Sequence, residues 1–120
     1  MAYRDLRSFL DDLRAEGELA NVEVEVDPDQ EIGAICHKAS LEDGPALLFE
    51  RVKGSDLAHL TNVYGTRRRI ARAFGCDDYL ELAELWSDLI SRGGIPPTVV
   101  SDAPCQEVVL KGEEATLDLL

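Results

Sequence analysis

The chain has 120 residues, 45% hydrophobic and 30% charged, which suits one folded domain with a modest core rather than a disordered or membrane-embedded polypeptide. Twelve basic residues against 24 acidic ones leave a net charge of −12, a field that repels phosphate backbones and anionic membrane surfaces and so disfavours nucleic-acid and membrane binding. No apolar run approaches the roughly 20 residues of a membrane span, and the charged start MAYRDLRSFLDDLRAEGE lacks the apolar core of a secretory signal, so a cytoplasmic protein is expected.

The first element is a helix. Leu6, Phe9, Leu10 and Leu13 recur at i, i+3, i+4 and i+7, and Gly17 supplies the left-handed residue that closes such a helix. The period then changes: Ala20, Val22, Val24 and Val26 alternate with Asn21, Glu23, Glu25 and Asp27, the pattern of a half-buried strand with an acidic outer face. The stretch Asp27-Pro28-Asp29-Gln30 reads as a second helix start, with an acceptor at the cap, Pro in the first turn and Gln three residues on. Ile32, Ile35, Cys36 and Ala39 continue it at helical spacing, which predicts Cys36 on the core face.

Gly44-Pro45 breaks the chain before a second strand over residues 46–52. Lys53-Gly54-Ser55 turns it, and residues 57–63 form the third strand candidate. Thr66 is positioned to cap a helix over residues 67–74 that Gly75 ends. Either Asp77 or Asp78 caps the next helix, with Leu82, Trp86, Leu89 and Ile90 as its buried stripe. Gly93-Gly94 and Pro96-Pro97 stop that helix, and Val108, Val109 and Leu110 read as a short strand. The expected fold is α/β of the α+β kind, a small mixed sheet flanked by three to four helices with an extended C-terminal segment. Leu6, Phe9, Leu10, Leu13, Ile32, Ile35 and Trp86 are expected to share one core against the first strand. The apolar end TLDLL, residues 116–120, reads as an edge left by truncation or as a segment that docks on a partner.

The sharpest candidate for chemistry is the basic helix start Thr66, Arg67, Arg68, Arg69 and Arg72. Free backbone N–H groups and guanidinium groups together suit a phosphate or carboxylate. The competing and favoured reading is a contact, in which these arginines pair with the chain's own acids, another domain or another protomer. As exposed pairs they would tune association more than folding. The segment has the glycine spacing of neither a P-loop nor a dinucleotide fingerprint.

The three cysteines, Cys36, Cys76 and Cys105, are an odd number at irregular spacing, with no CxxC pair, so reduced thiols are expected. His37 and His59 have no companions at metal-ligand spacing. Cys36 and His37 are neighbours on one helix and diverge rather than face each other. Cys105 follows Pro104 with no identifiable base. Asp11 and Asp12 are assigned to an exposed helix face, and Glu23 and Glu25 to the solvent face of the first strand. The residues by themselves indicate no catalytic, cofactor-binding or metal site in this chain.

Four pieces in order resemble the N-terminal region of the UbiD-type carboxy-lyases. RDLRSFLDDLRAEGELANVEVEVDPDQEIGAI is similar to their opening helix–strand–helix, and GPALLFERVKGS to the following strand and turn. TNVYGTRRRIARAFG resembles their segment with the pattern GNLFGTPRR, Arg67 standing where Pro is common. PCQEVVLKGEEATLDLL is similar to the linker that leads to the flavin domain. The resemblance implies an N-terminal α/β domain over residues 1–95 and a linker or strand over residues 96–120. It also implies a parent enzyme that reversibly decarboxylates aromatic or α,β-unsaturated acids. The family's prenylated FMN, divalent manganese or magnesium ion, potassium ion and Glu-Arg-Glu constellation belong to later parts of the polypeptide, and none maps onto a residue here. The isolated chain is therefore expected to bind no flavin and to be inactive. Its implied partners are the remaining domains of the same enzyme or a partner subunit, in a homo-oligomer. The alternative is a self-standing small subunit or interaction module of a carboxylase complex.

Overall fold

The computed structural model describes residues 3–116, and its first helix, α1 (Leu6–Ala15), is fixed at both ends by local chemistry. Asp5 and Ser8 form a reciprocal capping box: Ser8 N–H donates to Asp5 Oδ1 at 2.8 Å and Asp5 N–H to Ser8 Oγ at 3.2 Å. Gly17 takes φ +71°, which lets Glu18 N–H reach back to the Leu13 carbonyl at 2.8 Å. The turned chain then enters β1 (Leu19–Val22).

The helix α2 (Glu31–Leu41) returns the chain so that β2 (Ala46–Phe49) lies parallel to β1, with Leu19 opposite Ala46 and Val22 opposite Phe49. The strand β3 (His59–Thr61) pairs with β2 antiparallel. The result is a three-stranded mixed sheet in the order β1-β2-β3. Two further helices, α3 (Arg67–Ala73) and α4 (Tyr79–Ser91), complete an α+β fold with four α-helices among the described residues. Beyond Ile95 the described chain holds only two short 3₁₀ turns, Pro104–Gln106 and Gly112–Glu114.

The core is divided. Phe9 and Leu13 of α1 pack with Leu19 and Ala46, while Val26, Leu47, Phe49 and Val52 form a second cluster with Ile32 and Ala39 of α2 at its edge. Ala71, Cys76 and Leu82 make a third cluster between α3 and α4. The radius of gyration, 17.4 Å, exceeds the roughly 14 Å of a compact domain of this length. The body is open and flat, 45 × 42 × 22 Å.

Several sequence expectations need correction. The alternating run 20–26 is a regular strand only to Val22, because Val26 re-pairs with Val52 after four residues on this side and three on the other. The extra residue bulges the chain outward, leaving Val24 67% exposed. The second helix begins at Glu31, not at Pro28. Asp27 Oδ1 instead accepts from Asp29 N–H at 3.0 Å, Glu31 reaches back to Asp27 N–H at 2.6 Å, and Gln30 takes φ +73°. Cys36 is only half-buried and Ile35 is exposed, since α2 lays just Ile32 and Ala39 against the sheet.

The second and third strands are shorter than the runs 46–52 and 57–63: the pairing of β2 with β1 ends at Phe49, and Asn62 turns to φ +55° after β3. Asp78, not Asp77, caps α4, accepting from Leu80 N–H and Glu81 N–H at 2.8 and 2.9 Å. On that helix only Leu82 is buried, whereas Trp86 and Ile90 stand 55% and 65% exposed and do not join the core of Phe9 and Leu13. Val108, Val109 and Leu110 form no strand and are exposed. Residues 117–120 of the apolar end lie outside the described residues.

Candidate functional site

The basic helix start predicted from sequence is held by α3, whose N-cap Thr66 accepts the Arg69 N–H at 3.2 Å. Within one turn its arginines part company. Arg69 points inward and is 1% exposed. Its guanidinium donates to Glu18 Oε2 at 2.7 Å, Val63 O at 3.2 Å, Gly44 O at 2.9 Å and Asn62 O at 3.1 Å. Four bonds on five N–H groups leave almost no donor capacity for a ligand. Asn62 completes this joint by donating through Nδ2 to Gly44 O and Pro45 O at 3.1 and 2.8 Å. Gly65 is obligatory beside it, because a Cβ there would meet Asn62 Oδ1 at 1.8 Å.

Arg72 faces α1. It donates through Nη2 to Asp12 Oδ1 at 2.8 Å and through Nε to Asp12 Oδ2, and its Nη2 lies 3.4 Å from Glu16. Tyr3 donates its hydroxyl to the same Asp12 carboxylate at 2.6 Å. The Arg72 guanidinium, and then the Tyr3 hydroxyl, hold the Asp12 carboxyl down at about 2. Burial, and then the hydrogen bond to Asp12, push the Tyr3 phenol up. Asp12 is thus no exposed acid, contrary to its assignment beside Asp11. The stripe that buries Phe9 and Leu13 also brings Asp12 under α3.

Arg68 is solvent-exposed and lies 3.3 Å from Glu18 and 3.8 Å from Glu16. Three arginines, Arg68, Arg69 and Arg72, are thereby balanced by three acids of this same chain, Asp12, Glu16 and Glu18. Arg67 differs: its guanidinium stacks 5.3 Å above the Tyr79 ring, and among the described residues it has no carboxylate partner. The expectation that Arg69 makes an exposed pair is overturned, since its partners come from residues 18, 44, 62 and 63 around one closed space.

A small polar cleft of about 290 Å³ borders this network, lined by Tyr3, Arg68, Arg72, Gly75, Cys76 and Asp77. Its thiol is a poor nucleophile, because burial and the nearby Glu81, Asp77 and Asp78 carboxylates push Cys76 up. The side chain of Cys105 lies outside the described residues. No group of three His, Cys, Asp or Glu side chains among the described residues is placed to hold a metal ion. With Arg68, Arg69 and Arg72 committed to acids of this chain, these three do not fit a flavin phosphate, and no chemical step is assigned to the described residues. No described helix is long and apolar enough to cross a membrane.

The fold around this joint decides the family. Residues 10–89 match the 3-octaprenyl-4-hydroxybenzoate carboxy-lyase N-terminal domain. The chain belongs to this family, UbiD_N. Among solved structures, the vanillic acid decarboxylase of Sedimentibacter hydroxybenzoicus in its open form is similar over 92% of this chain, with 35% identity and a TM-score of 0.71. The UbiD-class enzyme HmfF of Pelotomaculum thermopropionicum, in complex with FMN, is 33% identical over 72% of this chain, with a TM-score of 0.64. An evolved dimeric form of HmfF in complex with prFMN is 32% identical over 74% of it, with a TM-score of 0.67. The UbiD N-terminal domain chain spans only 26%, 19% and 20% of those three chains.

The sequence singled out the arginines of this domain but not their partners. Glu18 carries no motif, and only the turn chemistry of Asn62 and Gly65 marks the place where the joint closes.

Proposed function

We propose that this UbiD N-terminal domain is the non-catalytic opening portion of a decarboxylase acting reversibly on aromatic or α,β-unsaturated acids with prenylated FMN. The observation that carries the reading is the family match over residues 10–89 by a chain that spans 26% of a similar decarboxylase. Residues 1–95 are the domain and residues 96–120 the linker towards the flavin-binding portion. The prenylated FMN, a divalent manganese or magnesium ion and potassium belong to that later portion. Its partners are the remaining domains or a partner subunit, in a cytoplasmic homo-oligomer.

In this reading the start of α3 is an intramolecular and interdomain contact rather than an anion site. The internal pairing of Arg68, Arg69 and Arg72 supports it, with Thr66 as the cap and Arg67 as the member left facing outward. The test is to express the complete reading frame that holds this sequence with a prenylated-flavin supply and screen carbon dioxide release from cinnamic- and hydroxybenzoic-type acids. Flavin-dependent release from at least one acid is expected. A full-length protein that binds prenylated FMN stoichiometrically yet releases nothing from any such acid would contradict the assigned reaction.

A further inference from the structure

The helix α4 presents a wider apolar face than the fold covers. At 3.6 residues per turn, Leu85, Leu89, Leu82, Trp86, Tyr79, Ile90 and Ala83 spread over about 160° of its circumference. Ile70, Ala71 and Cys76 cover the Leu82–Leu85 side. The other side is open: Trp86 and Ile90 are 55% and 65% exposed, as is Ile95 at 78%. Gly93 and Gly94, at φ +82° and +79°, close the helix, with Gly94 N–H donating to Leu89 O at 2.8 Å, and turn Ile95 back beside it.

The space so framed is an apolar groove of about 530 Å³ lined by Phe74, Trp86, Leu89, Ile90 and Ile95 together with the two glycines. Phe74 and Trp86 meet edge to face at 6.5 Å and also border a second apolar hollow of about 340 Å³ with Ile70, Tyr79 and Leu82. The two hollows are therefore one continuous surface on α3 and α4. An exposed aromatic surface of this extent marks an interaction site.

We propose that this groove seats the portion of the UbiD-class polypeptide that follows the N-terminal domain, which rests on the reading under Proposed function. Two observations favour that occupant. Relatives similar over 72–92% of this chain devote only 19–26% of their length to the match, so most of their polypeptide lies outside this fold. A second copy of this chain is disfavoured electrostatically, because it would bring a net charge of −12 against −12. The complementary surface is apolar, to match Phe74, Trp86, Ile90 and Ile95.

Hydroxyl-radical footprinting of the 120-residue chain and of the complete reading-frame product, each at several concentrations, tests this. The oxidation rate of Trp86 and Ile90 is expected to fall several-fold in the complete protein, with Leu41, exposed and outside the groove, as the unchanged reference. Ile90→Glu in the complete protein should restore oxidation of Trp86 while Leu41 stays constant. A complete protein that binds prenylated FMN yet oxidises Trp86 as fast as the 120-residue chain overturns the groove proposal and leaves the family function standing. Protection that rises with concentration in the 120-residue chain alone assigns the groove to a second copy and overturns it too. A reading frame that ends at Leu120, or a complete protein that takes up no flavin, overturns the underlying reading and the occupant with it.

Discussion

Arg69 and Glu18 stand 51 residues apart in sequence and meet at 2.7 Å, joining the start of α3 to the residue that leads into β1. The same guanidinium reaches the carbonyls of Gly44, Asn62 and Val63, so one side chain ties the entries or exits of all three strands to a helix. A buried charge in this position is stable only while its partners are present.

Replacing Arg69 by Gln is therefore expected to destabilise the chain by about 3–5 kcal/mol, because Glu18 and three carbonyls lose their donor together. Arg68, 63% exposed and paired at 3.3 Å, is the contrast: Arg68→Gln should cost about 0–1 kcal/mol. Urea midpoints of the two variants check this, and equal midpoints would contradict the keystone role of Arg69.

Two glycines separate space from conformation. Gly65→Ala is expected to lower the urea midpoint markedly, since its Cβ would fall 1.8 Å from Asn62 Oδ1 and 3.1 Å from Arg69 Nη2. Gly33 sits inside α2 with nothing within 4 Å of a Cβ, so Gly33→Ala should raise stability by about 0.5–1 kcal/mol.

How much of this was legible beforehand depended on how local each cause is. Gly17, Thr66 and Gly75 act on atoms within a few residues, and the helix ends they mark were readable. Arg69 draws on four separate segments, and no periodicity of α3 distinguishes it from Arg68. For α4 the apolar spacing indicated a face, yet spacing alone does not say what covers it, and Trp86 and Ile90 proved uncovered. Val24 and Val108 show the same limit for strands: alternation describes a strand that a neighbour must still accept in register.

Acid should act through Asp12. Its folded carboxyl titrates at about 2, below the ordinary value of 3.8 expected when unfolded, so the unfolded state binds the proton more readily. The stability contributed by the Asp12–Arg72–Tyr3 group is complete above about pH 4 and is lost as pH falls towards 2. Asp12→Asn is expected to lower the thermal midpoint at pH 7 and to flatten its fall between pH 4 and 2. A variant whose midpoint drops as steeply as the parent's over that window would count against the pairing.

Phe9 is 3% exposed, with its ring 4.9 Å from that of Tyr3 and 6.3 Å from that of Tyr64. Phe9→Ala should cost about 3–5 kcal/mol, a large share of the roughly 5–15 kcal/mol available to a domain. Trp86→Ala in the same chain should cost far less, since the groove it lines is open. Guanidinium unfolding of both variants measures the difference, and reversed costs would return Trp86 to the core.

The most direct test of the account titrates prenylated FMN, with manganese and potassium present, into the 120-residue chain and in parallel into the complete reading-frame product. Absorbance and heat should show saturable, one-to-one binding by the complete protein and none by the chain, whose Arg68, Arg69 and Arg72 are already paired with Asp12, Glu16 and Glu18. Saturable one-to-one binding of the flavin by the 120-residue chain itself would contradict the claim that this domain supports a chemistry housed elsewhere.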